Sequence, residues 1–163
     1  MEMRHQNQKH ALKSGNMHYK KLALMALLSF IAMYILMYAM VDSFSNVLPN
    51  VNQFYMAGLM TMPMIIIELI VMGMMYMNKK LNTAIITSCG IALLVFFYCI
   101  KQQAFVGDKQ FLKSMIPHHG AAILMVEKAS LKDPEIKKLA NGIISTQQQE
   151  IAQMKAKLKD INK

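Results

Sequence analysis

Cysteine is scarce in this chain of 163 residues: Cys89 and Cys99 are the only two, ten positions apart in an apolar run. That spacing is neither a CxxC pair nor a disulfide framework, so the thiols read as packing residues. Acidic side chains number 9 against 18 basic ones, although 55% of the chain is apolar. The two excesses coexist because apolar and basic residues are segregated along the sequence. Arginine is missing from the C-terminal region, where lysines alternate with acids as on a solvated helical face, which argues against nucleic-acid binding. No nucleophile–base–orienter set, phosphate loop or oxidase ligand set is visible, so the sequence does not read as an enzyme.

Charge is absent from residues 22–41 and 83–100, and residues 54–77 carry only Glu68. Each run is close to the roughly 20 residues that cross a bilayer core, so the sequence predicts three transmembrane helices. A basic segment precedes the first run, as in a signal peptide. The run is longer than the roughly 7–15 residues of a signal core and no A-x-A site follows, so it reads as an uncleaved anchor. Asn46, Pro49, Asn50 and Asn52 read as turn formers in the first link.

Basic residues orient the bundle. Arg4, Lys9, Lys13, Lys20 and Lys21 precede the first run, Lys79 and Lys80 fill the second link, and the first link has neither Lys nor Arg. The positive-inside rule then puts the N-terminus in the cytoplasm and everything after Lys101 outside. Three parts follow: a cytoplasmic basic tail (1–21), a transmembrane region (22–100) and an extracytoplasmic domain (101–163).

That domain reads as two helices, about 109–131 and 133–161, joined by a short link and therefore antiparallel. Asp133 suits an N-cap, Pro134 the first helical position and Glu135 the positive end of the dipole. On a helical wheel Phe111, Met115, Ala122 and Ala129 form one stripe, flanked by His118 and Met125 on one side and His119 and Val126 on the other. The second helix has the stripe Ile136, Ala140, Ile143, Gln147, Met154, Leu158 and Ile161, with Glu150 and Ile151 beside it. Both apolar faces are thus interrupted by polar groups, and in an antiparallel pair those interruptions can come level. Burying such groups unpaired costs about 1–3 kcal/mol each, so they must meet one another, water or a ligand. Pro117, beside the histidines, either starts a helix or kinks one.

Imidazole with thioether suits copper, Met selecting for Cu(I) and His serving either oxidation state; zinc, which prefers His with Cys or carboxylate, fits less well. The two helices lack the Glu-x-x-His pairs of a di-iron site, since Glu127 is followed by Ser130 and Glu150 by Gln153. Read from spacing alone, the histidines bind a metal, form a hydrogen-bonded core pair, or contact a partner.

The stretches "FLKSMIPHHGAAILMVEKA" and "DPEIKKLANGIISTQQQEIAQM" resemble the family catalogued as domain of unknown function 305. The matching positions are Met115, Ile116, His118, His119, Ala122, Ile123 and Met125. They continue with Pro134, Ile136, Leu139, Ala140 and Ile143, then Gln147, Glu150, Ile151 and Met154. The likeness covers roughly residues 105–160, and the three apolar runs resemble a membrane-anchored bacterial form of the family. It implies an all-α, ferritin-like fold in an extracytoplasmic setting, and for some members copper binding linked to copper tolerance. Carried over residue by residue, the implied ligands are Met115, His118, His119, Met125, Gln147, Glu150 and Met154. One hairpin is half a bundle, so a homodimer completing four helices is expected in the bacterial inner membrane, with its domain in the periplasm and a copper-handling partner whose identity is open.

The membrane part is rich in methionine. Met33, Met37 and Met40 share helical spacing, and Met64, Met72 and Met75 lie on the side of Glu68. A glutamate inside a membrane span marks function by default, which makes Glu68 with Met64 and Met72 a second candidate site. A small oligomeric transporter using Glu68 is therefore the alternative to a copper buffer, and a structural module with a non-metal His pair is the third reading. The tail's His5, His10 and His18, with Met1, Met3 and Met17, resemble a soft-metal segment by composition only; a solvated extension is the expectation.

Overall fold

The computed structural model describes residues 2–162, with side chains from Met17 onward. His5, His10, Met1 and Met3 therefore lie outside the described side chains. Every element among the described residues is helical: α1 (Glu2–Leu36), α2 (Val51–Val71), α3 (Lys79–Gln102), α4 (Asp108–Lys128) and α5 (Pro134–Ile161). Short 3-10 turns occupy Met37–Met40 and Phe44–Asn46. The chain divides into two compact units, one of residues 1–33 and 55–102, the other of residues 34–54 and 103–163.

Three helical stretches are long and apolar enough to cross a membrane: Met17–Met40, Val51–Val71 and Lys79–Gln102. At about 1.5 Å per residue α2 alone spans about 31 Å, close to the thickness of a hydrocarbon core. The core of the first unit is narrow, formed by Leu22, Ile65, Leu69, Tyr76 and Cys89. Leu24, Leu28, Ile31, Ile70 and Leu94 stand exposed around it. So much outward apolar surface fits lipid rather than water.

Helix boundaries depart from the sequence reading for local reasons. The 3-10 turn at Met37 breaks the Met33–Met37–Met40 helical stripe. Asn50 starts α2 early by accepting the Gln53 N–H at 2.9 Å, an N-cap arrangement. α2 stops at Val71 instead of reaching Met77; Gly73, which disfavours helix by about 1 kcal/mol, follows it. The turn after it, where Met75 N–H donates to the Met72 carbonyl at 2.9 Å, leads to the buried Tyr76. α3 absorbs Lys79 and Lys80, because Asn78 Oδ1 accepts the Leu81 N–H at 3.1 Å.

In the second unit α5 begins as read from the sequence. Asp133 accepts the N–H groups of Glu135 and Ile136 at 2.8 and 3.0 Å, with Pro134 behind it. α4 and α5 pack along one another over Ile116, Ile123, Ile151 and Leu158, with Leu112 and Met154 beside them. Leu48 of the first link joins this core. The asparagines read as turn formers do more than turn the chain. Ser114 Oγ donates to Asn50 Oδ1 at 3.2 Å, and Asn52 Nδ2 donates to Gln103 Oε1 at 2.9 Å. The Val51 N–H donates to Gln110 Oε1 at 3.1 Å. The first link is thus seamed to the start of α4. Beyond Gln102 the backbone is strained: Gln103 and Phe105 have φ of 50° and 58°, a region that costs a non-glycine residue about 1–2 kcal/mol.

The buried stripe of α4 is not the one drawn from the wheel. Ile116, Pro117, His119, Gly120 and Ile123 face inward, whereas Phe111 and Met125 are 52% and 54% exposed. The stripe is turned by about one residue, or 100°, because the first link lies over Gly120. A side chain there would collide with Asp42 Oδ1, and its Cβ would come within 3.2 Å of Val41 Cγ1. Asn46, itself buried, donates to the same Asp42 oxygen at 2.7 Å. Pro117 lies inside α4 rather than at its start, and so withdraws the N–H that would bond the Lys113 carbonyl.

Gly120→Ala should destabilise the protein by about 1–3 kcal/mol, the usual penalty of overpacking. In an Asp42→Ala background most of that penalty should disappear, since the colliding oxygen is gone. Denaturant unfolding of the full-length protein and the three variants in mild detergent, followed by circular dichroism, gives the coupling. Additive effects would show that the link does not rest on Gly120.

Candidate metal site

The two histidines have separate fates. His119 is 8% exposed and faces α5, while His118, one residue and about 100° away, is exposed. Their rings are 6.0 Å apart between centroids at a steep angle. The expectation that both lean inward therefore holds for His119 alone, because the buried stripe is centred one residue further along.

His119 is held at both ring nitrogens. Nδ1 lies 2.9 Å from the Met115 carbonyl oxygen, one turn earlier on α4. Nε2 lies 2.7 Å from Glu150 Oε2 on α5. A carbonyl oxygen has no proton to give, so Nδ1 must be the donor. Nε2 and the carboxylate oxygen must then share a proton between them, since two bare lone pairs would repel at that distance. Metal-binding histidines are commonly oriented this way, one nitrogen tied to a backbone carbonyl and the other free to coordinate.

The other sequence candidates distribute around this pair. Met115 supplies the carbonyl, and its side chain is half-buried. Gln147 lies about one turn before Glu150, and its Oε1 is buried with no hydrogen-bond partner. Met154, one turn after Glu150, packs beside the α4–α5 core. Met125 and His118 lie on the exposed flank of α4 and are not brought to the pair. Among the described residues no three His, Cys, Asp or Glu side chains cluster as a metal group. A metal here would therefore use His119 and Glu150 together with the neutral donors Gln147, Met115 and Met154. That donor set fits a soft or borderline ion, and Gln147 Oε1 is an acceptor otherwise left unmatched.

The membrane candidate acquires a partner that the sequence reading missed. Tyr76 donates its hydroxyl to Glu68 Oε1 at 3.2 Å. Tyr76 is buried, and its ring lies 5.3 Å from that of Tyr19 and 6.4 Å from that of His18. Met64 is half-buried and Met72 39% exposed. The signal for Tyr76 was its position eight residues after Glu68, beyond a glycine-bearing turn.

Asp42, Asn46 and Gly120 were also missed as a set. Their clue was an acidic residue in a link devoid of basic ones, opposite a glycine beside a histidine.

Residues 100–160 match the family model described as domain of unknown function (DUF305). An uncharacterised protein, L153, of Acanthamoeba polyphaga mimivirus is 40% identical over 141 residues, covering 85% of this chain and 91% of the relative. The chain carries a DUF305 domain at residues 100–160. The similarity to the viral relative is more than twice as long as the domain match, so it takes in part of the apolar helices as well. No solved structure matches the chain.

Glu150→Gln should cost about 1 kcal/mol in the metal-free protein, because the Glu150 side chain is 46% exposed and solvent screens the pair. His119 should retain the proton on Nδ1 in that variant, read from its ring nitrogen shifts by NMR. A switch of the proton to Nε2 would show that Glu150, not the Met115 carbonyl, sets the tautomer.

Proposed function

We propose that this protein is a membrane-anchored copper-binding protein that presents its DUF305 domain outside the cytoplasm and buffers or delivers the metal without chemical turnover. The observation that carries the reading is His119, with Nδ1 tied to a backbone carbonyl and Nε2 aimed at Glu150. His119 and Glu150 would hold the ion, with Gln147, Met115 and Met154 as neighbouring donors. The thioethers bias the set towards Cu(I); Cu(II) and zinc would use the imidazole and carboxylate alone. Copper binding at Nε2 displaces the proton shared with Glu150, so binding releases protons.

The membrane setting is supported by three helices of sufficient length and by the lack of Lys and Arg in the first link. The first link and the DUF305 domain belong to one compact unit, which is consistent with both lying on one side of the bilayer. By the positive-inside rule that side is extracytoplasmic, the periplasm or exterior of a bacterial cell in the setting the family likeness implies. The antiparallel pair α4–α5 is half of a ferritin-like bundle. Phe111, Met125, Ile136 and Leu139 are each more than half exposed, and a second copy on that flank would complete four helices.

One specific observation favours a competitor. The bond between His119 and Glu150 already satisfies Nε2, as it would in a purely structural module. The transporter reading has less support, since Glu68 is partnered by Tyr76.

The test is a Cu(I) titration of the metal-free, full-length protein in mild detergent against a chromophoric chelator. One tight equivalent is expected, weakened about 100-fold or more by His119→Ala and unaffected by Glu68→Gln. Circular dichroism establishes that the variants remain helical. A folded wild-type protein that does not compete for copper returns His119 to a structural role. Loss of binding in Glu68→Gln alone transfers the site to the membrane.

A further inference from the structure

Two aromatic rings of the second unit project away from its core. Phe44, in the turn that follows α1, is 92% exposed, and Phe105, in the link between α3 and α4, is 86% exposed. Neither belongs to the long apolar helical faces. At Phe105 the outward setting is built into the backbone. The Val106 N–H donates to the Gln103 carbonyl at 3.0 Å, closing a turn in which Gln103 and Phe105 both have positive φ. Asn52 holds the same Gln103 through its side-chain oxygen. Strained backbone fixed in this way by its surroundings is found mostly at positions that serve a function.

The chain itself limits where that contact lies. Phe105 is three residues beyond the end of α3 and Phe44 four beyond Met40, so extended chain carries them at most about 11 and 14 Å past the ends of the spans. The interfacial layer outside the hydrocarbon core is about 5–8 Å deep on each side. Lys101 marks the boundary on α3, as the first charge after the uncharged run of residues 83–100. Phenylalanine rings at the membrane surface bury at the boundary between headgroups and acyl chains, as Trp, Phe and Leu do on the apolar face of interfacial segments. A protein partner would instead call for a contiguous patch.

We propose that Phe44 and Phe105 are lipid anchors that pin both juxtamembrane links of the second unit at the bilayer surface. The proposal rests on the reading that the three apolar helices span a membrane. It extends to the metal site through one turn of chain. Phe44 shares its 3-10 turn with Asn46, which bonds Asp42, and Asp42 rests on Gly120 beside His119.

The chain contains no tryptophan, so Phe44→Trp and Phe105→Trp each introduce a single fluorophore. Leu28→Trp, midway along the first apolar stretch on an exposed position, serves as the depth standard. Each full-length variant is reconstituted in phosphatidylcholine vesicles whose acyl chains are brominated near the headgroup or near the chain end. Emission from Phe44→Trp and Phe105→Trp should be blue-shifted and lost mainly to the shallow bromines, and that from Leu28→Trp mainly to the deep ones. Quenching of Leu28→Trp with none in the other two overturns the anchor proposal and leaves the membrane spans standing. Blue-shifted but unquenched emission at Phe44→Trp and Phe105→Trp overturns it in favour of a protein covering. No quenching of Leu28→Trp overturns the spans, and the anchors with them.

Discussion

Gly120 has no side chain, and the carboxylate of Asp42 sits where one would begin. Much of the second unit follows from this approach. With the first link seated there, Leu48 closes the core over Ile116, Ile123, Ile151 and Leu158. The covered side of α4 becomes its buried side, so His119 turns inward and His118 outward. Asn50 contributes at two places, capping α2 and accepting from Ser114 of α4. The link that a three-span reading treats as a connector is therefore a structural layer of the domain.

The same contact explains why adjacent histidines behave differently. Residues i and i+1 on a helix are separated by about 100°, and the buried face that runs through Ile116, His119, Gly120 and Ile123 leaves His118 beyond its edge. His119 enters the interior with both ring nitrogens satisfied, as a buried imidazole must be. Glu150 remains 46% exposed and reaches the ring from the edge of the core. The pair thus combines a fixed imidazole with a carboxylate that can adjust. Such an arrangement suits an ion that has to enter and leave.

Hydropathy made the three apolar helices legible, since runs of about 20 uncharged residues have few alternatives. Cap chemistry made the start of α5 legible, with Asp133 and Pro134 in their read positions. The level pairing of a histidine on α4 with Glu150 on α5 was also foreseeable from two interrupted stripes. The face of α4 was not. The wheel centred the stripe on Phe111, Met115, Ala122 and Ala129 by angle alone, while the deciding residue, Gly120, has no side chain to register in such a pattern. What buries α4 is a segment more than sixty positions earlier, and periodicity within one helix cannot report a partner so far away. Tyr76 escaped notice for a related reason. Its bond to Glu68 depends on a turn at Gly73 where the apolar run reads as continuous helix.

Charge balance bears on which ion the His119 site would favour. Glu150 is the only acid joined to His119, and Gln147, Met115 and Met154 are neutral. A single carboxylate neutralises a monovalent cation and leaves one positive charge on a divalent one. In a half-buried site an uncompensated charge is costly, and thioethers add little affinity for hard dications. Cu(I) gains from both the softness of the donors and the resulting neutrality. Zinc or Cu(II) would need a further anionic ligand, which the side chains brought to the pair do not supply. The proposed preference for Cu(I) would thus rest on the count of acids as much as on the methionines.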